Sequence, residues 1–485
     1  MGTVTCFLHD LNLNWCYCPA INEHKLRSTR VYIMALTKHQ EGSTRELWSI
    51  SVPLMLSSFS MMCMLFVDRL FLAYYSTTAL TAAVNAATLG WAFAYSGMIL
   101  TNIAEVFVAQ YNGAGLKQKM GEPVWQMIWL SAASCAFFFP LAFWGSEWIY
   151  GATPIMEMER EYFKWMMLFG PSVLMYGALC SFFIGQGKTA LITLLAIFAN
   201  VLNAGLDAVL IFGVEGMVPS LGITGAAIAT NGSTVFQVMI LAYIFLNKNH
   251  RTHYKTNTCA FKVKPFLQCL RVGFPNALFV GFELLGWASY YGLMTMVGEK
   301  HITLVGICQS VAILFYFFAE GLSKGAATVA GNLIGAGKPH LVPRVMQAGI
   351  KLNFIFFGFL ILIYAGFKDL IIAQFLGAPN DTITQSYYDS LSICLLLMIC
   401  YMLFEGMRLL IAGLLTAAGD TFFLLLAGST SVWVMLVLPV YLIVAQYGAA
   451  VEFASTICVI YSLLASALYF WRFYIGRWKT ISLTN

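Results

Sequence analysis

Twelve apolar stretches, each long enough to cross a bilayer, dominate this chain. They cover residues 49–74, 83–109, 124–146, 162–185, 189–213, 222–246, 268–297, 302–332, 345–372, 386–415, 421–444 and 449–474. A transmembrane helix needs about 20 consecutive, mostly apolar residues. Every stretch meets that length, and short polar breaks such as GAGLKQK, QGK, GEKH and GAGKPH separate them. Strands of outer-membrane barrels are only about 10 residues long, so the pattern is helical. Only 10% of the residues are charged and 60% are apolar, whereas a soluble domain carries about 25% charged residues. That is too little charge to cover a soluble surface. A soluble enzyme, a disordered chain and a nucleic-acid binder are set aside, and an all-α polytopic membrane protein is expected.

Lys and Arg in the loops orient such a chain, since cytoplasmic loops are enriched in both. With the N-terminus cytoplasmic, Lys117, Lys119, Lys188, Lys248, Arg251, Lys255, Lys262, Lys264, Arg271, Lys338 and Arg344 fall on the inner side, joined by Arg472, Arg477 and Lys479. The other side gets little more than Arg160, Lys164, Lys300 and Lys368, beside the acidic Glu157, Glu159 and Glu161. Both termini are therefore expected in the cytoplasm. Residues 1–45 read as a polar, disordered tail. Residues 1–33 lack the apolar core of a signal peptide and are either part of that tail or an unused upstream start. A chain beginning at Met34 is expected to insert and transport like the full one. Loss of insertion on truncation would show otherwise.

An internal repeat gives the architecture. Pro53 in SVPLML matches Pro275 in GFPNAL, 222 positions on, and Gly113-Ala114-Gly115 matches Gly335-Ala336-Gly337 at the same offset. Gly225-Ala226-Ala227 matches Gly448-Ala449-Ala450 at 223. The unit is six helices, so both copies begin on the same side. Parallel repeats of this kind relate by an axis along the membrane normal, with the substrate path between them. The expected domains are an N-lobe, 46–246, an inter-lobe cytoplasmic loop, 247–267, a C-lobe, 268–475, and a tail, 476–485.

Charge within a span costs a few kcal/mol even on lenient scales, which makes each such residue a functional candidate. Away from the span ends these are Asp68, Arg69, Glu105, Asp207, Glu283, Glu320, Lys324, Glu405 and Arg408. Arg69 points about 100° away from Asp68 and is long enough to reach the surface. Asn200, Asn203 and Asp207 stand at i, i+3, i+7, on one helix face. Oxygens on one apolar helix suit Na⁺ or a proton carried on a buried carboxyl, or a helix–helix hydrogen bond. Glu283 has no charged neighbour within ten residues in sequence. It is protonated, bound to a cation, or paired across the bundle. Glu405/Arg408 and Glu320/Lys324 are at i, i+3 and i, i+4, where opposite charges sit side by side. Glu405→Gln is accordingly expected to leave Arg408 unpaired, and a double change to Gln to recover part of the loss.

Several chemistries lack their residues. No histidine lies within a span, so intramembrane metalloprotease, haem and His-based acyltransferase readings fail. Gly187-Lys188-Thr189 ends like a P-loop, but Phe182 stands where that motif needs glycine. The 12 cysteines include no CxxC, and Cys16/Cys18 have no second pair to complete a metal site. No nucleophile–base pair suggests an enzyme, and no metal or cofactor is expected beyond a coupling ion, H⁺ or Na⁺.

SVPLML followed by VDRLFL, then AQYNGAG, NVLNAGLD with LGITGAAIAT, GFPNALFVGFE, GNLIGAGK and LLTAAGD resemble the multidrug and toxic compound extrusion (MATE) family over about residues 45–475. The resemblance implies twelve helices in two pseudo-symmetric six-helix lobes, alternating access, and antiport of amphiphilic, often cationic drugs and toxins against H⁺ or Na⁺. It also implies a multi-pass protein of the cell inner (plasma) membrane, expected to act as a monomer and to bind no nucleic acid. Asp68 resembles the first-helix aspartate of the family's N-lobe site. Asn203 and Asp207 resemble its fifth-helix pair, with Asn200 on the same face, and Thr230 resembles its sixth-helix threonine. Glu283 resembles the seventh-helix glutamate of the bacterial NorM-type branch, and Tyr401 and Glu405 its tyrosine and carboxylate four residues apart. Arg408 departs from that pattern and counts against a cation at Glu405. Glu320 and Lys324 stand where the family usually has apolar or small residues. A lipid-linked saccharide flippase of the same superfamily is the second reading. It would favour several cations lining the cavity, and only Lys324 and Arg408 qualify. A channel or non-transporting sensor would need a continuous polar stripe on several helices.

Overall fold

The computed structural model describes residues 36–150, 155–377, 382–481 and 483. The Met34 start and the Cys16/Cys18 pair lie outside the described residues. Among the described residues twelve helices are long and apolar enough to span a membrane. They are α1 (Thr44–Tyr75), α2 (Thr77–Gly113), α3 (Lys117–Ile149), α4 (Met156–Ile184), α5 (Thr189–Phe212) and α6 (Gly222–Phe245) in the first half. The second half has α7 (Val263–Val297), α8 (Glu299–Gly335), α9 (Pro339–Leu376), α10 (Thr382–Ala417), α11 (Thr421–Gln446) and α12 (Val451–Ile475). A short helix, Lys248–Tyr254, lies in the connection between the halves.

Local chemistry sets the helix ends. Ser43 caps α1 by accepting the Glu46 N–H at 3.2 Å, while the Glu46 carboxylate accepts the Gly42 N–H at 2.6 Å. This reciprocal satisfaction of first-turn donors is a variant of the capping box. A single serine then makes the tight turn between α1 and α2. The Ser76 N–H closes α1 on the Leu72 carbonyl at 2.8 Å, and its hydroxyl accepts the Ala79 N–H at the start of α2. The outer faces are apolar: Phe66 is 67% exposed and Leu362 72%. Such side chains find lipid rather than water, so they carry no hydrophobic penalty in a bilayer.

Two proline-bearing helices change company along their length; in α1 the change comes some turns beyond Pro53, since Met55 still packs with the second half. The start of α1, Leu47 and Ile50, packs in a core with Leu322, Val345 and Leu410 of the second half. Beyond Pro53, Leu72 packs with α2 and α4 of the first half. The start of α7 does the reverse. Cys269 and Val272 pack with Phe107, Val124 and Phe182 of the first half, and beyond Pro275 Tyr290 and Met294 join the second-half core. Each proline removes a backbone donor in mid-helix and weakens the helix there. The connection between the halves is also tied down: Trp125 and Trp129 of α3 donate to the Thr256 and Cys259 carbonyls, both at 2.8 Å.

The two Gly-Ala-Gly repeats meet across the seam between the halves. A Cβ added at Gly113 would overlap the Asn332 carbonyl, and one at Gly335 would overlap the Gln110 carbonyl. The paired contacts follow the repeat, so each glycine admits the other half's backbone. Around them the Asn112 amide donates to Asn332 Oδ1 at 2.6 Å, Gln110 donates to the Ala417 carbonyl at 2.8 Å, and Lys338 binds Glu41 at 2.7 Å. The seam is closed at this end. Gly113→Ala or Gly335→Ala should therefore lower thermal stability, by about the 1–3 kcal/mol typical of overpacking. Gly205→Ala is the control, since nothing lies within 4 Å of its added Cβ. Melting curves for the three variants check this, and equal melting temperatures would count against a tight seam.

Candidate functional site

In the first half, α5 brings two polar groups to one buried face. Asn203 and Asp207 are both fully buried, and Asp68 of α1 is 8% exposed. Thr230 of α6 links them: its hydroxyl donates to Asp68 Oδ2 at 3.0 Å, and the Asn203 amide donates to Thr230 Oγ1 at 3.5 Å. The Asp68 and Asp207 carboxylates interact with one another. Asn203 lies close enough to Asp207 to interact with it, but no donor among the described residues makes a well-formed hydrogen bond to either oxygen of Asp207, to Asp68 Oδ1 or to Asn203 Oδ1. No described base pairs with either aspartate, and Arg69 is exposed. Buried acceptors without donors are costly, and two facing carboxylates supply acceptors only. A proton or a small cation between them relieves that cost. Asn200 lies on the same helix face but is engaged elsewhere, donating to Ser60 of α1 at 2.5 Å.

The second half encloses a cavity of about 560 Å³, walled by α7, α8, α10 and α12 and by α2 of the first half. Its lining is mainly aromatic and aliphatic, with Glu105, Glu283, Glu320, Lys324 and Glu405 as its charged members. Tyr401 lines it too, edge-on to Trp287 at 5.8 Å between ring centroids. Behind the wall lies Arg408, 1% exposed. Its Nε donates to Glu405 Oε2 at 2.8 Å, and its Nη2 bonds both Glu405 and Glu283. The Phe279 and Tyr469 rings lie 5.9 Å from the guanidinium.

That geometry corrects two expectations. Glu283 is not alone: of the three states open to it, the structure gives pairing across the bundle. Glu405→Gln would also leave Arg408 paired, because Glu283 remains. Spacing along α10 shows the near partner, whereas the second comes from α7, 125 residues away. The structure adds contacts that no local spacing marks. Thr328 of α8 donates to Glu105 at 2.8 Å across the seam, and Arg472 grips Asp420 through two bonds of 2.8 and 2.9 Å. The Gly-Ala-Gly repeat was the available signal that α2 and α8 face each other. Lys324 binds Glu320 at 2.7 Å, as their i, i+4 spacing predicts.

A family model described as MatE matches residues 53–209 and 284–443. The chain belongs to the MatE family. Both matched segments fall on the two halves of the repeat, which makes this MatE protein a multi-pass membrane protein of a transporter family. It is 24% identical over 450 residues to the Bacillus subtilis (strain 168) protein called "Probable multidrug resistance protein NorM", covering 90% of this chain and 96% of that one. It is 25% identical over 336 residues to "Probable multidrug resistance protein YoeA" of the same organism, covering 68% and 70%. A solved outward-facing conformation of a multidrug resistance MATE family transporter of the MOP superfamily superposes with a TM-score of 0.79 at 16% identity, over 91% of this chain and 97% of that one. That likeness, and the similar one to the eukaryotic MATE transporter AtDTX14 at a TM-score of 0.74 and 16% identity, over 90% and 96%, concern the fold.

Proposed function

We propose that this MatE protein is a secondary active exporter. It antiports small amphiphilic, cationic organic compounds out of the cell against entering H⁺ or Na⁺, by alternating access of its two lobes. It sits in the cell inner (plasma) membrane as a monomer, with the closed seam and both termini on the cytoplasmic side, where the basic loops are. It carries no cofactor and catalyses no reaction. One observation carries the reading: Asp68 and Asp207 face one another, buried, and neither is in a salt bridge among the described residues. Such a pair changes state when a proton or Na⁺ binds, and Asn203 and Thr230 complete an oxygen-rich surround. The C-lobe differs because Arg408 already supplies the positive charge that Glu283 and Glu405 would otherwise take from an ion. The coupling ion is therefore assigned to the N-lobe, and Glu283, on the cavity wall, to substrate contact or gating.

Reconstitution in liposomes tests this. Efflux of a cationic dye should respond to a pH jump or to a Na⁺ jump, and the response identifies the ion. Dye movement that follows its own gradient and ignores both would refute coupled export.

A further inference from the structure

Four carboxylates line the central cavity, and they are not equivalent. Glu283 and Glu405 share Arg408, and Glu320 is bound to Lys324. Glu105 alone among them is in no salt bridge among the described residues; the cation that acts on it, Lys324, is bound to Glu320. Its single hydrogen bond comes from a neutral group, the Thr328 hydroxyl, on Oε1. Glu105 is half-buried and lines the cavity.

We infer that Glu105 is the cavity's anchor for the cationic group of the exported compound. This rests on the proposed export of cationic amphiphiles. The three paired carboxylates can take a second cation only by sharing or losing an internal one. Glu105 neutralises an incoming charge without giving up a salt bridge, since Lys324 stays on Glu320, and Tyr95, Trp287 and Tyr316 in the same lining offer aromatic surface for the apolar part and for cation–π contact. Because Thr328 reaches Glu105 from the other lobe, a cation on Glu105 competes with a contact that holds the seam closed.

The test is equilibrium binding of tetraphenylphosphonium and of uncharged triphenylphosphine oxide to the purified full chain. Glu105→Gln should weaken tetraphenylphosphonium by about tenfold, one decade in Kd, and leave triphenylphosphine oxide unchanged. Tetraphenylphosphonium affinity equal to wild type, or an equal loss for both compounds, would overturn the assignment. Should Glu105→Gln not fold, Thr328→Val decides: freeing Oε1 should tighten tetraphenylphosphonium by about threefold, and unchanged or weaker binding overturns it. If the wild-type protein itself prefers neither compound, the cation-export reading fails and takes the anchor with it. Failure of Glu105 alone leaves that reading standing.

Discussion

Asp207→Asn is expected to abolish gradient-driven export while leaving the protein folded and expressed. The asparagine is nearly isosteric, so packing on α5 is unchanged. The substitution removes a titratable group from a site where its oxygens accept no well-formed hydrogen bond among the described residues. Burying charge without a partner is destabilising, so thermal stability should hold or rise while coupling is lost. Asp68→Asn should also uncouple but disturb more, since Asp68 accepts the Thr230 hydroxyl. Protein yield, melting temperature and dye efflux check this together. Normal export by both variants would refute the N-lobe assignment, and a loss of export explained by misfolding would leave it without support.

Arg408→Gln should be the most destabilising single change in the C-lobe. Removing one partner of a buried ion pair costs about 3–5 kcal/mol because the other charge is left unpaired. Here two carboxylates would be left facing each other. Glu405→Gln should cost less, since Glu283 still neutralises Arg408. Glu405→Gln/Arg408→Gln should recover part of the Arg408→Gln loss, with Glu283 the remaining unpaired group. Arg408→Lys should fail to restore full stability, because one ammonium cannot reproduce the fork that bonds both glutamates. Melting temperatures order the series. A Glu405→Gln loss as large as that of Arg408→Gln would show that Glu283 does not hold the guanidinium.

The spans were legible because hydrocarbon admits few alternatives to a long apolar helix, and the helix ends differ from the apolar runs mainly where polar turns extend them. The repeat gave the two-half architecture, since matched prolines and glycines mark positions where the backbone is constrained. Asn203 and Asp207 were visible as one face because both stand on one helix. The guanidinium bridge was half visible: Glu405 lies one turn from Arg408, while Glu283 comes from another helix. The Glu105–Thr328 contact was hidden for the same reason, and so was the crossover of α1 and α7, which local periodicity cannot report.

If the ion is read in the N-lobe and the compound in the cavity, efflux of several cationic dyes from liposomes carrying Asp207→Asn or Glu283→Gln, under pH and Na⁺ jumps, separates the two roles. Asp207→Asn should lose its ion response for every dye, whereas Glu283→Gln should keep that response and change which dyes are moved. An ion response kept by Asp207→Asn and lost by Glu283→Gln for every dye would put the ion site in the C-lobe instead.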